Sequence, residues 1–440
     1  MCWNLPTACI TGLWPYNHLC PPMRRPGKRY WTMTSQDMNN RTIQLSRAAL
    51  FVIAATPIGM LAAREIPATM AVIVTCLCAA AILSDGRLRE VVDSLRRLAL
   101  SPGGIAALSL IFLAGLSVLW SPAPERGAIH VVHFGGGIAL GAVSACAVYF
   151  LRPAVPAKAL ALGICVAAVL LVIDLATGSG LRRLLGLATE DFRLNRSAVA
   201  LVLLLPLVSV LLLMERQRVL VALTWLCSAA AVIISVSYSA KLGLLVLLAA
   251  LPLAYAAPLL MHRVIGATAV FLILFMPIVA SLANALVPDS IHQAVGYGSL
   301  TIRGEIWGET ARFIQDKPFL GWGIEAAHVI ASLPEAATLS QSQRDLLNWS
   351  HTHNAPLQIW LELGAAGALA AAAAVIAAMI QLERLPRPLL PAASATFAAA
   401  FAIACVSHGA WQAWWWSLLA LIATAFAASV MKKNDSSIIK

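Results

Sequence analysis

Two histidines, His351 and His353, stand at the start of a long apolar run in "WSHTHNAPLQIWLELGAAGAL" (349–369). An imidazole placed there can exchange a proton near neutral pH, the work of a general base. Pro356 reads as an early helical residue, and Asn354 just before it as a cap or a ligand contact. The helix that follows presents unpaired N–H groups and positive potential, which favour an anion. Two other readings stay open: the start of a metal site, for which no third ligand lies at a recognised spacing, and solvated histidines beside a capping Asn354. Glu362, two turns into the run, requires a partner, either a cation such as Arg303 or an interior hydrogen bond.

Four further stretches carry polar chemistry. In "TIRGEIWGETARFIQDKPFLGWG" (301–323), Arg303 and Trp307 are one helical turn apart, so the indole can flank the guanidinium, and Pro318 with two glycines around Trp322 ends the helix. "DFRLNRSAVALVLLLPL" (191–207) sets Arg193, Asn195 and Arg196 before an apolar run, and "SVSYSAKLGLL" (235–245) places Lys241 in a serine-rich segment. "SHGAWQAWWW" (407–416) holds His408, Gln412 and four tryptophans. An aromatic belt at the membrane–water interface accounts for the tryptophans but not for His408 and Gln412. Fixed arginines match phosphate oxygens bidentately, and aromatic faces suit sugar rings. The implied ligand is a phosphate- or pyrophosphate-bearing lipid with a polar, sugar-like cargo.

The elements that must hold these residues are membrane helices. The 440-residue chain is 60% hydrophobic and 12% charged, about half the charge of a soluble protein, with mean hydropathy +0.81. Apolar runs of about 20 residues recur throughout, and stretches such as "AAGALAAAAAVIAAMI" lack the alternation of a transmembrane barrel. The fold expected is an all-α polytopic membrane protein with twelve spans, near 45–63, 66–83, 104–120, 128–150, 158–176, 197–214, 219–236, 242–260, 264–287, 356–380, 388–406 and 412–431. The domain plan is a cytoplasmic tail at 1–44, either disordered or an over-extended start with Met33 or Met38 as the true one. Nine transmembrane helices at 45–287 follow, then an outer loop at 288–355 folded as amphipathic helices, three helices at 356–431, and a second tail at 432–440. In the loop, Ile302, Ile306, Trp307, Thr310 and Phe313 share one helical stripe, and Glu305, Glu309 and Arg312 another; the loop reads as a folded lid lying on the interface.

The net charge of +11 does not indicate nucleic acid, because its distribution follows topology. With the N-terminus in the cytoplasm, 20 of the 31 Lys and Arg residues lie inside, in accord with the positive-inside rule. The outer remainder includes Arg193, Arg196, Lys241 and Arg303, cations that topology does not explain. Nine cysteines, six in spans and three near the N-terminus, form neither a disulfide framework nor a zinc pattern. Segment 1–40 has no signal-peptide core.

Taken in order, "NRSAVALVLLLP", "IRGEIW…DKPFLGWG", "HTHNAPLQIWLELGAAGAL" and "SHGAWQAWWW" resemble the O-antigen ligase and polymerase superfamily over about 190–430. That resemblance implies a class C-like glycosyltransferase architecture and a metal-independent, inverting transfer of glycan from undecaprenyl pyrophosphate, without cofactor, at the periplasmic face of the bacterial inner membrane. It matches Arg303 to the loop arginine that holds pyrophosphate and His353 to the base, with His351 assisting. Arg196, Arg193 and Lys241 join the pyrophosphate set, and Trp307, Trp322, Asn354, His408 and Gln412 the acceptor or glycan contacts. Many members carry arginine where this chain has Lys241, which keeps the charge but loses the bidentate grip. The acceptor expected is a lipid A-core sugar, which makes the chain a ligase. A polymerase of lipid-linked repeats and a protein O-oligosaccharyltransferase share the chemistry. A transporter of lipid-linked glycan is the reading from another class; it expects midplane charges and two related halves, whereas the sequence shows no clear internal repeat and only Asp174 and Glu362 within spans.

Overall fold

A computed structural model describes residues 39–286, 301–348 and 351–430. The N-terminal tail up to residue 38, the first part of the large loop, Trp349 and the C-terminal tail, with the expectations that fall on them, lie outside the described residues. Within them the chain is helical: α1 (Asn40–Ala62), α2 (Ile66–Asp85), α3 (Leu88–Ala99), α4 (Pro102–Ser117), α5 (Pro124–Leu151), α6 (Ala157–Ala176), α7 (Gly180–Leu184) and α8 (Asn195–Met214), then α9 (Arg218–Ile234), α10 (Tyr238–Ala256) and α11 (Pro258–Leu286). After the undescribed stretch come α12 (Thr301–Asp316), α13 (Gln341–Leu347), α14 (Ala355–Leu382), α15 (Leu389–Val406) and α16 (Ala413–Ala428). Ten helices are long and apolar enough to cross a membrane. The other two expected spans correspond to α9 and α16, which are apolar but shorter. The chain is a polytopic membrane protein, all-helical among the described residues.

Helix α8 runs through the middle. Every residue from Ser197 to Leu212 is buried, so it is apolar on all sides, as a helix enclosed by neighbours must be. It packs on α9, α15, α10 and α6, while α1 pairs with α2, α4 with α14, and α16 with α5. Small residues allow close approach where helices cross. A methyl group built on Gly141 would stand 2.8 Å from the Ala420 Cβ, which locks α5 against α16. Helix α3, which hydropathy alone does not reveal, is amphipathic: it carries Arg89, Arg96 and Arg97 and exposes Leu88, Val92 and Leu98.

The tenth expected span, 356–380, is not one continuous helix. Helix α14 breaks at Gly364, where φ is 63° and ψ −158°. A break frees backbone groups that hydrocarbon cannot satisfy, and the "KPFLGWG" segment supplies the partners. Trp322 N and Gly323 N donate to the carbonyls of Leu361 (2.9 Å) and Glu362 (2.8 Å), while Ala365 N and Ala366 N donate to those of Pro318 (2.8 Å) and Phe319 (3.1 Å). The expectation of a lid lying on the interface therefore needs correction. The loop does contain helices α12 and α13, and Ile306, Thr310 and Phe313 of the expected stripe face its core. The segment after α12, however, plugs into the bundle, with Ile324 and Ala326 fully buried.

Candidate active site

The break in α14 fixes the height at which the helix begins, and with it the segment carrying His351 and His353. Asn354 caps α14: its side-chain oxygen accepts from Leu357 N (3.0 Å) and its amide nitrogen reaches Met276 Sδ (3.3 Å). It is 1% exposed. Thr352 braces the turn through its hydroxyl, which donates to the Asn354 carbonyl (2.8 Å), and its own carbonyl accepts from the Trp307 indole (2.9 Å). Helix α12 is thereby tied to the histidine turn. His353 sits at φ 52°, in the left-handed region a non-glycine residue rarely adopts, and such strain concentrates at functional positions. Its ring lies against that of His351, with centroids 4.1 Å apart and the planes tilted by 42°.

The α15–α16 turn closes over this pair. His353 Nδ1 lies 3.4 Å from the Ser407 carbonyl, so an Nδ1–H donates there and the lone pair falls to Nε2. Gly409 packs closely here; a Cβ would come 3.0 Å from Gln358 Oε1 and 3.3 Å from the His351 ring. His408 packs between Trp414 and Trp415, each at 4.7 Å, and its buried Nε2 has no partner among the described residues. Gln412 accepts from the Trp414 indole through its side-chain oxygen (2.9 Å).

Beneath lies Glu362, fully buried. It resolves the choice the sequence left open in favour of interior hydrogen bonds. It accepts from Trp411 Nε1 (2.5 Å), Gln358 Nε2 (2.9 Å) and Ala327 N (3.3 Å). The amide oxygen of Gln358 in turn accepts from Ala410 N (3.0 Å). One carboxylate thus joins α14, the inserted loop and the α15–α16 turn.

The cations divide. Arg196, in the first turn of α8, bonds Glu65 and lies over the Trp414 ring at 4.6 Å, which brings α1–α2, α8 and α16 to the histidine corner. Arg303 is half-buried on α12, and burial lowers its pKa; its charge in turn depresses His353. Arg193 instead bonds Glu190 (2.7 Å) and lies over Phe192. Lys241 lies over Tyr238 at 5.2 Å. Trp322 is in the loop's core, donating to the Phe313 carbonyl (2.9 Å) beneath Lys317. The structure therefore gathers His351, His353, His408, Arg196, Trp307 and Gln412, with Arg303 in electrostatic reach of His353, and among the described residues it gives no contact that links Arg193, Lys241 or Trp322 to them.

Sequence reasoning missed Glu325. It follows "GWGI" at φ 64°, is nearly buried, and pairs with His130 Nδ1 (2.9 Å) and Arg126 Nε (3.0 Å) of α5. The available signal was an acidic residue directly after the glycine–tryptophan turn, with a histidine and an arginine four apart on α5.

Electrostatics follow from burial among cations. Burial is the main reason the His351 pKa falls to about 4; the Ser407 carbonyl and Glu325 oppose the fall, while Arg196 and His328 add to it. Burial, then His351 and Arg303, take His353 to about 3. Burial and Arg196 hold His408 well below its ordinary value. Burial works against the charge on Glu325, but His130 and Arg126 outweigh it and keep the carboxyl below its usual value. All three imidazoles are neutral at pH 7, and cationic charge accumulates beside them. Such a corner suits an anion, whose arrival returns basicity to the imidazoles. Among the described residues no three His, Cys, Asp or Glu side chains stand close enough to share a metal ion.

Residues 222–372 match the family model described as O-antigen ligase. The matched segment contains Lys241, Arg303, Glu325, His351, His353 and Glu362; Arg196 and His408 come from outside it. No curated protein matches the chain. The resemblance read in the sequence, to the O-antigen ligase and polymerase superfamily, is thereby supported over residues 222–372.

Proposed function

We propose that this protein is a ligase that moves a glycan from undecaprenyl pyrophosphate to a lipid A-core sugar, at the periplasmic face of the bacterial inner membrane. The observation that carries the reading is a strained, neutral His353 against His351, within the electrostatic reach of Arg303, on the same corner where Arg196 lies over the Trp414 ring that packs on His408. The convergence of Arg196 with His408 and His351 supports it further.

In this mechanism Arg303 and Arg196 receive the diphosphate, with Lys241 available to add charge. Bound anionic charge raises the basicity of His353 from its depressed resting value. His353 Nε2 then takes the proton of an acceptor sugar hydroxyl. The oxygen attacks the anomeric carbon, the bond from that carbon to the diphosphate oxygen breaks, and undecaprenyl pyrophosphate departs with the bonding electrons. Attack opposite the leaving group inverts the anomeric centre. Stabilising the leaving group's charge is the arginines' task, in a buried setting where such interactions are strong. Gln412 and the tryptophans flank the space for sugar, and the tryptophan-rich turn with the compact loop favours ligase over polymerase.

Replacing His353 or Arg303 with Ala should abolish transfer in a membrane assay with lipid-linked donor while the protein still accumulates in the membrane. Wild-type activity in either variant would refute the assignment. In cells, deletion should remove the whole capped lipopolysaccharide ladder; a single repeat left on the core would identify a polymerase.

A further inference from the structure

A second amphipathic site lies beside the histidine corner. Two cavities adjoin between the α1–α2 turn and the segment joining α6 to α8. One, of about 240 Å³, is lined by Arg64, Arg182 and Arg193 among its residues. The other, of about 160 Å³, is walled by Ile58, Leu170, Leu181, Leu185 and Leu194. Leu61, Ala62, Arg182 and Leu187 line both, so they form one groove, cationic at one end and apolar at the other.

The three arginines are not equivalent. Arg182 is buried and fully engaged: Nε and the backbone N–H bond Asp174 (2.6 and 2.9 Å), and the terminal nitrogens reach the Glu190 carbonyl (2.7 Å), Ser179 (2.8 Å) and the Asp191 carboxylate (3.3 Å). It builds the floor. Arg64 and Arg193 remain partly exposed, and their partners Glu65 and Glu190 point outward, with side chains 59% and 50% exposed. Ion pairs so exposed are weak, and an anion entering the groove can take over the guanidinium forks. The outer rim is apolar: Leu184 and Leu185 are 84% and 60% exposed, and Phe192 lies under Arg193. In a protein that spans a bilayer, that rim faces lipid.

We propose that this groove binds an anionic glycerophospholipid, with its phosphodiester held by Arg64 and Arg193 and the first methylenes of one chain in the leucine-walled cleft. Charge complementarity selects the headgroup, and the apolar cleft selects a chain-bearing ligand over free phosphate. The occupant is distinct from a diphosphate donor at the histidine corner, because Arg196 does not line the groove and is turned instead to Glu65 and the Trp414 ring. The site does not depend on the transfer chemistry: glycan transfer can fail with this lipid bound, and the converse.

The test is photolabelling of the full-length protein in phosphatidylcholine nanodiscs, using phosphatidylglycerol with a photoreactive group near the head of one chain. Adducts should map to 58–62 or 181–194. Unlabelled phosphatidylglycerol should compete at a concentration at least tenfold lower than phosphatidylcholine, undecaprenyl phosphate should compete no better than phosphatidylcholine, and inorganic phosphate should not compete. The Arg64→Ala/Arg193→Ala variant should lose the tenfold preference. Leu185→Trp, at an exposed position that folding tolerates, should reduce labelling by filling the cleft. The proposal is overturned by equal competition from the two phospholipids, by full preference in the double variant, by undiminished labelling in Leu185→Trp, or by competition from undecaprenyl phosphate that matches phosphatidylglycerol.

Discussion

Glu362 is the residue through which site and fold are most tightly joined, and replacing it separates two magnitudes. Its carboxyl oxygens face three donors: the Trp411 indole, the Gln358 amide and the backbone N–H of Ala327. In Glu362→Gln one oxygen becomes an NH2 donor, so at least one neighbouring donor loses its acceptor in a buried setting. Each such loss costs about 1–3 kcal/mol. Glu362→Leu leaves all three donors without an acceptor, about 3–9 kcal/mol by the same figure, which rivals the 5–15 kcal/mol or so that holds a typical protein folded. The Gln variant should therefore accumulate, melt at a lower temperature by tryptophan fluorescence in nanodiscs, and transfer glycan more slowly because the α15–α16 turn is no longer anchored. The Leu variant should fail to accumulate. If Glu362→Leu accumulates and melts like wild type, the network does not connect the helix break to the site, and the positioning argument fails.

Other consequences follow from the same geometry. Gly364→Ala places a side chain at φ 63°, ψ −158°, a region essentially reserved for glycine, at about 1–3 kcal/mol for the backbone alone, and directs the new methyl at the Phe319 carbonyl; limited proteolysis should cut the displaced 318–323 segment, and wild-type resistance would contradict this. The histidines bear on acid stability: His351 and His353 have native pKa values of about 4 and 3 against an ordinary 6.5. The unfolded chain thus binds more protons between those limits, so stability is complete above pH 6.5 and falls as pH drops towards 4. Melting temperatures across that range should show the decline, and His351→Gln with His353→Gln should flatten it; a slope unchanged in the variant would refute the cause. Glu325→Gln removes a negative charge that supports His351 and the ion pairs to α5; transfer should fall by about tenfold, the equivalent of one charged hydrogen bond of roughly 1.5 kcal/mol, and full activity would relegate Glu325 to packing.

Much of this was legible in the sequence because hydropathy and motif order are local properties. The twelve apolar helices fall close to their expected positions, since the bilayer demands long apolar runs and loops interrupt them with charge. The histidine turn was legible because imidazoles in an apolar chain need a reason. What escaped depends on contacts distant along the chain. The break at Gly364 is hidden because "ELGAAGAL" reads as ordinary small-residue helix, and only the backbone of 318–323, some forty residues earlier, makes the break tolerable. Glu325 escaped because its partners, His130 and Arg126, lie about two hundred residues away. Arg193 and Arg196 differ by three positions and were grouped together, yet one joins Glu190 and the other Glu65 and Trp414, a division set by where α8 begins.

The claim on which the functional account rests is that Arg303 and Arg196 grip one diphosphate beside His353. Equilibrium binding of undecaprenyl pyrophosphate to wild type, Arg303→Ala, Arg196→Ala and the double variant tests it most directly. Shared gripping predicts that each single replacement weakens binding about tenfold or more, a loss of about 1.4 kcal/mol, and that the double variant departs from the product of the two because they hold the same ligand. Unchanged binding in either single variant, or strictly independent effects in the pair, would contradict it.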